Sequence, residues 1–208
     1  MTVKTAIIFD CEFLCLEGSQ RRFWCAAHDP DPVIAQIGAA KLGLEGDFPL
    51  LGTHKAYIRP VDRFGQRYAL DPFFTKLTGV TEEDVETKGV ELGAALAEID
   101  RFSGGARFWS WGKDELNMIA ISCYVAGIQP SIPATRFDNA VKLLIAAGMP
   151  IEDLARTPSN KLADLLWRRA PAIAWARRAR RCAVLGLHAA ASDADRKAAA
   201  GCLRAPVA

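Results

Sequence analysis

Asp10 and Glu12 stand two residues apart at the end of a short apolar run, Ala6-Ile7-Ile8-Phe9. The run has the β-branched and aromatic composition of a central strand. Side chains on a strand alternate faces, so the two carboxylates point one way and Cys11 the other. Like charges at that spacing repel, and a hard divalent cation such as Mg²⁺ or Mn²⁺ between them removes the repulsion. An Asp-x-Glu is equally what a strand running out into a solvated loop can carry, and the pair alone is a weak signal. The chemistry depends on whether further ligands follow.

Trp111-Gly112-Lys113-Asp114 offers one. Gly112 permits a tight strand-to-helix turn. If that strand lies beside the first, Asp114 reaches the same end of the sheet as Asp10 and Glu12. Otherwise it is an ordinary N-cap or first-turn acid. His188 and Asp193 form a second candidate, five residues apart in an Ala-rich stretch. On a helix that spacing sets them about 140° apart, so one can face a metal and the other a water beside it. A surface helix carrying one His and one Asp is the blander alternative. Cys11, Cys15, Cys25 and His28 match a zinc site in number. They contain no Cys-x-x-Cys pair, which favours ordinary buried thiols. Gly104-Gly105 is not followed by Lys-Ser/Thr, so no phosphate loop is present, and no nucleophilic triad has a local signature. Trp109 and Trp111 share one side of a strand and read as core.

The elements that must position these groups follow from pattern. Residues 15–32 form an irregular connection ending in Asp29-Pro30-Asp31-Pro32. Val33–Leu44 and Thr53–Arg59 read as second and third strands of an antiparallel meander. Asp71 caps a short helix with Pro72 in its first turn, stopped by Gly79. Thr81 caps another, with Glu82, Glu83 and Asp84 suiting the dipole of its first turn. Helical spacing continues over Val90–Phe102 and Asp114–Ala126, with a strand over Arg107–Trp111 between them. A brief strand at Thr135–Phe137 and a helix at Ala140–Ala147 follow. Ser159–Arg169, Ile173–Cys182 and His188–Cys202 complete the chain as helical segments. The order implies a mixed sheet flanked by helices, α/β in class.

The chain has 208 residues, 50% hydrophobic and 24% charged, which fits one globular domain over residues 1–208. No apolar run approaches the roughly 20 residues of a membrane span. Met1-Thr2-Val3-Lys4 leads directly into the first strand, which leaves no room for a signal peptide. Reduced cysteines and a cytoplasmic location are therefore expected. Net charge is +2, unevenly placed. Residues 155–182 carry eight Lys/Arg against the single acid Asp164, whereas residues 1–154 carry fifteen Lys/Arg against twenty-one acids. A basic segment beside an acidic body suits a polyanion guided to a metal site, though a solvated helix face gives the same pattern.

Taken in order, Phe9-Asp10-Cys11-Glu12-Phe13, Trp111-Gly112-Lys113-Asp114, and His188 with Asp193 resemble the motifs of the DEDDh family of 3′–5′ exonucleases. Gln36-Ile37-Gly38-Ala39, Leu77-Thr78-Gly79-Val80-Thr81 and Leu162-Ala163 agree with further elements of that family. Leu70 to Thr81 is most similar to the branch that trims small RNAs and histone mRNA ends. The resemblance implies an RNase H-like five-stranded mixed sheet and a metal-dependent 3′–5′ exonuclease, with RNA favoured. It implies two Mg²⁺ or Mn²⁺ ions held by Asp10, Glu12, Asp114 and Asp193, and His188 as general base. Phe13, Leu14, Thr78 and Gly79 would bind the terminal nucleotide. The partner would be a single-stranded RNA or DNA 3′ end, with no membrane; a homodimer is admitted. The alternatives are a DNA-directed proofreading exonuclease attached to a polymerase and a catalytically dead nucleic-acid-binding domain. Two departures stand out: residues 167–187 form a longer, more basic insert than the family's usual loop, and Ser192 replaces a frequent acid.

Overall fold

The computed structural model describes residues 4–45, 48–112, 114–146, 148–157 and 161. The apolar run around Asp10 becomes β1 (Thr5–Phe13). β2 (Ile34–Gly43) and β3 (Leu50–Tyr57) extend it as the expected meander. Helices α1 (Pro72–Thr78), α2 (Glu82–Lys88) and α3 (Leu92–Ser103) then cross over to β4 (Arg107–Ser110). A crossover is what a parallel neighbour requires, and β4 pairs parallel to β1. α4 (Asp114–Val125), β5 (Phe137–Asn139), α5 (Val141–Ala146) and α6 (Ile151–Ala155) follow. The sheet order is β3-β2-β1-β4-β5, with β2 antiparallel to both of its neighbours. This is the RNase H-like mixed sheet that the resemblance implies.

Local chemistry fixes the helix ends. The Asp71 carboxylate accepts the Phe73 N–H at 2.7 Å. Thr81 and Asp84 form a reciprocal capping box. Val90, expected in a helix, instead bridges Ile58 in parallel, and α3 begins two residues later. β5 lies two residues beyond its expected start, because Ala134–Arg136 form a single 3₁₀ turn. α6 was not expected; five residues are too few to display a helical period. The helical segments expected beyond residue 157 and the basic insert 167–187 lie outside the described residues.

Burial follows the strand alternation. Ile7, Phe9 and Cys11 face inward at 4% exposure or less. They meet Leu92, Leu96 and Ile99 of α3 and Met118, Ile119 and Cys123 of α4 in one cluster. Phe9 packs edge-on to Phe108 and Phe137, joining β1 to β4 and the edge strand β5. A second cluster, with Phe74, Val80 and Val85 at its centre, joins α1 and α2 to Leu14, Val33 and Ala35. Among the described residues no helix is long and apolar enough to cross a membrane.

Candidate active site

Asp10 and Glu12 sit on the face of β1 opposite Ile7, Phe9 and Cys11, and both are partly exposed. Their cross-strand neighbours on β2 are Gly38 and Gln36. Directly paired residues point to the same face. Gly38 therefore leaves the space beside Asp10 free of a side chain, while Gln36 stands beside Glu12. Gln36 is 3% exposed, and its Oε1 has no hydrogen-bond partner among the described residues.

β4 brings the second motif to the same end of the sheet. Gly112 adopts φ +104° in the turn between β4 and α4, a conformation that L side chains rarely take. Its N–H donates to Asn139 Oδ1 at 3.2 Å, and the same oxygen accepts the Val141 N–H at 2.9 Å. One β5 side chain thus fastens two connections. Asp114 opens α4 and is exposed. The next residue, Glu115, interacts with Asp10 and is 7% exposed.

Burial pushes the Glu115 carboxyl up to about 7; the Asp10 charge adds to the rise, while its own backbone N–H and the Ser110 hydroxyl oppose it. Its Oε2 is buried with no hydrogen-bond partner among the described residues. Sequence reasoning overlooked Glu115. The available signal was its place as the second acid of a helix-opening Asp-Glu pair, where one turn of the helix decides which of the two points inward.

Burial, and then the Asp10 charge, raise the Cys11 thiol well above its ordinary value. Burial likewise takes Cys15 to about 11. Burial and the nearby carboxylates thus favour the protonated form of both thiols. Cys25 and His28 are exposed, and the four groups weighed as a zinc site are not gathered. Among the described residues, no three His, Cys, Asp or Glu groups are arranged to hold a metal ion. His188 and Asp193 lie outside the described residues.

The nucleotide-binding candidates divide. Phe13 is half-buried, its ring 5.4 Å edge-on from Trp24. Leu14 is 3% exposed within the second cluster. The Thr78 hydroxyl donates to Phe74 O at 2.9 Å and accepts the Val80 N–H at 3.1 Å, so it is committed to the α1 terminus. Gly79 is exposed at that terminus.

No protein-family model matches the chain. No curated protein matches it either. Solved structures superpose on part of it. Exonuclease I of E. coli, in complex with a dA13 oligonucleotide, superposes with a TM-score of 0.47 at 16% identity, over 70% of this chain and 30% of that one. A full-length 3′-exonuclease gives 0.49 at 17% identity, over 62% of this chain and 41% of the other. A product-bound exonuclease I gives 0.49 at 16%, over 71% and 32%. The chain matches less than half the length of each of these proteins.

Proposed function

We propose that this chain is a metal-dependent 3′–5′ exonuclease acting on single-stranded nucleic acid, with RNA favoured. One observation carries the reading. Glu115 is buried beside Asp10 at the end of the central strand, its carboxyl interacting with Ser110 and Asp10, and its Oε2 has no hydrogen-bond partner among the described residues. A buried carboxylate oxygen without a partner is destabilising by about 1–3 kcal/mol or more. A divalent cation is the partner that suits hard oxygen donors crowded at one point. Asp10, Glu12 and Glu115 do not by themselves close a metal site; they would supply carboxylate oxygens to an ion whose coordination a further ligand completes, with Gly38 leaving the space beside Asp10 open.

Asp193 would add a ligand from the C-terminal motif. The chemistry such ions supply is a more acidic bound water and charge stabilisation at the leaving oxygen. His188 would accept the proton of the attacking water, since an imidazole titrates near neutral pH. Phe13 and Gly79 would contact the terminal nucleotide, because Leu14 and Thr78 are turned into the fold. Asp114, exposed at the head of α4, would act on the ion at most through space. The RNA preference rests on the likeness of Leu70 to Thr81 to the RNA-trimming branch.

The test is cleavage of 5′-labelled single-stranded RNA and DNA with Mg²⁺, Mn²⁺ or EDTA. Stepwise shortening from the 3′ end, faster on RNA and abolished by EDTA or Asp10→Ala, is expected. Undiminished cleavage in EDTA or by Asp10→Ala overturns the metal assignment. Cleavage confined to DNA supports the proofreading alternative, and oligonucleotide binding without cleavage supports a catalytically dead domain.

A further inference from the structure

Among the described residues, the buried polar side chains are five hydroxyls, Gln36 and Glu115. Every hydroxyl is engaged. Ser19 donates to Asp29, Thr78 closes α1, Ser122 accepts the Ile34 N–H, Ser103 accepts from Arg136 at 2.6 Å, and Ser110 bonds Glu115. Gln36 and Glu115 differ: each keeps a buried oxygen, Oε1 and Oε2, with no hydrogen-bond partner among the described residues. Buried polar groups are nearly always bonded, and an exception marks a place where an ion, a water or a ligand belongs. Glu115 stands beside Asp10, and Gln36 stands beside Glu12. Each carboxylate of the β1 pair therefore has one such oxygen as its neighbour.

The strand pairing explains how Gln36 comes to be there. Glu12 pairs with Gln36 and Phe13 with Ile34, so Ala35 opposes no residue of β1. This is a β-bulge, a device that re-aims side chains and recurs next to functional sites. Ile34 and Ile37 both enter the cluster under α3 and α4, while Ala35 enters the one under α1 and α2. The extra residue returns Ile34 to the core and leaves Gln36 as the last regular partner before the break. Directly opposed residues hold their Cβ atoms about 4.5–5.5 Å apart. Glu and Gln side chains are equal in length, so the amide and the carboxylate can converge. On the other side of Gln36 stands Tyr57, which does not bond Oε1.

We propose that Gln36 supplies a neutral carbonyl oxygen to the coordination shell of the cation at Asp10 and Glu12. This rests on the metal-dependent reading above and extends it by one residue. Amide carbonyls belong to the hard oxygen donors that suit Mg²⁺ and Mn²⁺. Charge explains why an amide stands here and not a carboxylate. Asp10, Glu12 and Glu115 already bring three acids to this end of β1, and a fourth would add repulsion. The amide contributes an oxygen without a charge. Packing alone gives no reason for it, since an apolar side chain of similar size would leave no acceptor unbonded.

The test is Mn²⁺ binding to the full chain, read from the EPR signal of free Mn²⁺ with no nucleic acid present. Gln36→Leu should weaken binding about tenfold, as loss of one oriented partner of a metal does. Its urea midpoint in EDTA should equal or exceed that of wild type. Gln36→Glu should bind Mn²⁺ at least as tightly as wild type, because a carboxylate oxygen takes the place of the carbonyl. Unchanged affinity in Gln36→Leu overturns the proposal. Weakening of Gln36→Glu to the level of Gln36→Leu also overturns it, since the amide then acts as a donor to Glu12 through Nε2. A lowered urea midpoint together with weaker binding in Gln36→Leu assigns the residue to packing and overturns it as well. If Asp10→Ala abolishes binding and Gln36→Leu leaves it intact, the metal site stands and the role of Gln36 alone fails. Mn²⁺ binding that depends on both residues, without cleavage of RNA or DNA, removes the nuclease reading and supports the ligand. No Mn²⁺ binding by the wild-type protein overturns both.

Discussion

At the residue scale the decisive contrast is between Asp114 and Glu115, neighbours in sequence and opposite in environment. Asp114 is exposed at the head of α4, whereas Glu115 is buried against Asp10. Glu115→Gln should lower turnover about a hundredfold or more while Asp114→Asn lowers it by less than about tenfold, in steady-state assays with Mn²⁺. Stability should respond as well. The Glu115 carboxyl titrates near 7 in the fold and about 4.3 in an unfolded chain. The folded state therefore keeps a proton that the unfolded state releases. In EDTA, stability should fall as pH rises from about 4 to about 7 and level off above, by up to ~3 kcal/mol. Urea denaturation of wild type and Glu115→Gln checks this. The variant should show a flatter pH profile and be the more stable of the two at pH near 8. An unchanged slope would mean that the buried carboxyl is not the titrating group. Asp10 and Glu12 were legible from spacing alone, because a two-residue period guarantees a shared face on any strand. Glu115 was not, because the inward side of a helix's first turn depends on how that helix docks.

At the scale of elements, α4 is what holds Glu115 in place, and one hydroxyl ties α4 to the sheet. Ser122 Oγ accepts the Ile34 N–H of β2 at 3.0 Å and donates to Met118 O at 2.6 Å, with Ser122 2% exposed. Ser122→Ala leaves a buried backbone N–H without a partner and should cost about 1–3 kcal/mol in urea denaturation. If Glu115 of α4 is the proposed ligand, metal affinity should also fall in that variant; a full loss of stability with unchanged affinity would separate the two roles. The caps belong to the same scale. Thr81→Ala removes the hydroxyl that accepts the Asp84 N–H at 3.1 Å and should cost about 1 kcal/mol by thermal melting. Helices α1 and α2 could be placed from sequence because caps and prolines act locally. The limits of β3 and β5 could not, because a strand ends where its partner does. β5 is three residues long and follows the 3₁₀ turn at Ala134–Arg136, where pairing with Phe108, Trp109 and Ser110 begins.

For the whole molecule, charge partition carries the remaining expectation. The eight Lys/Arg of residues 155–182 face an otherwise acidic chain. Replacing Arg177, Arg178, Arg180 and Arg181 by Gln should weaken oligonucleotide binding at low salt. It should flatten the slope of log affinity against log salt by up to about 3, from about 0.7 per neutralised phosphate of a single strand. Binding titrations across salt concentrations measure this, and an unchanged slope would return that segment to a solvated surface. The sequence by itself determined the fold class, the order of the first three strands, the shared face of Asp10 and Glu12, and the caps of α1 and α2. All of these rest on periodicity and on interactions within a few residues. Only the tertiary structure decided that β4 lies beside β1, that Gly38 leaves the space beside Asp10 open, and that Glu115 is buried beside Asp10. It also set Gln36 beside Glu12 at a bulge of β2. Those facts depend on contacts between residues tens of positions apart, and a local pattern carries no record of which distant partner a side chain will meet.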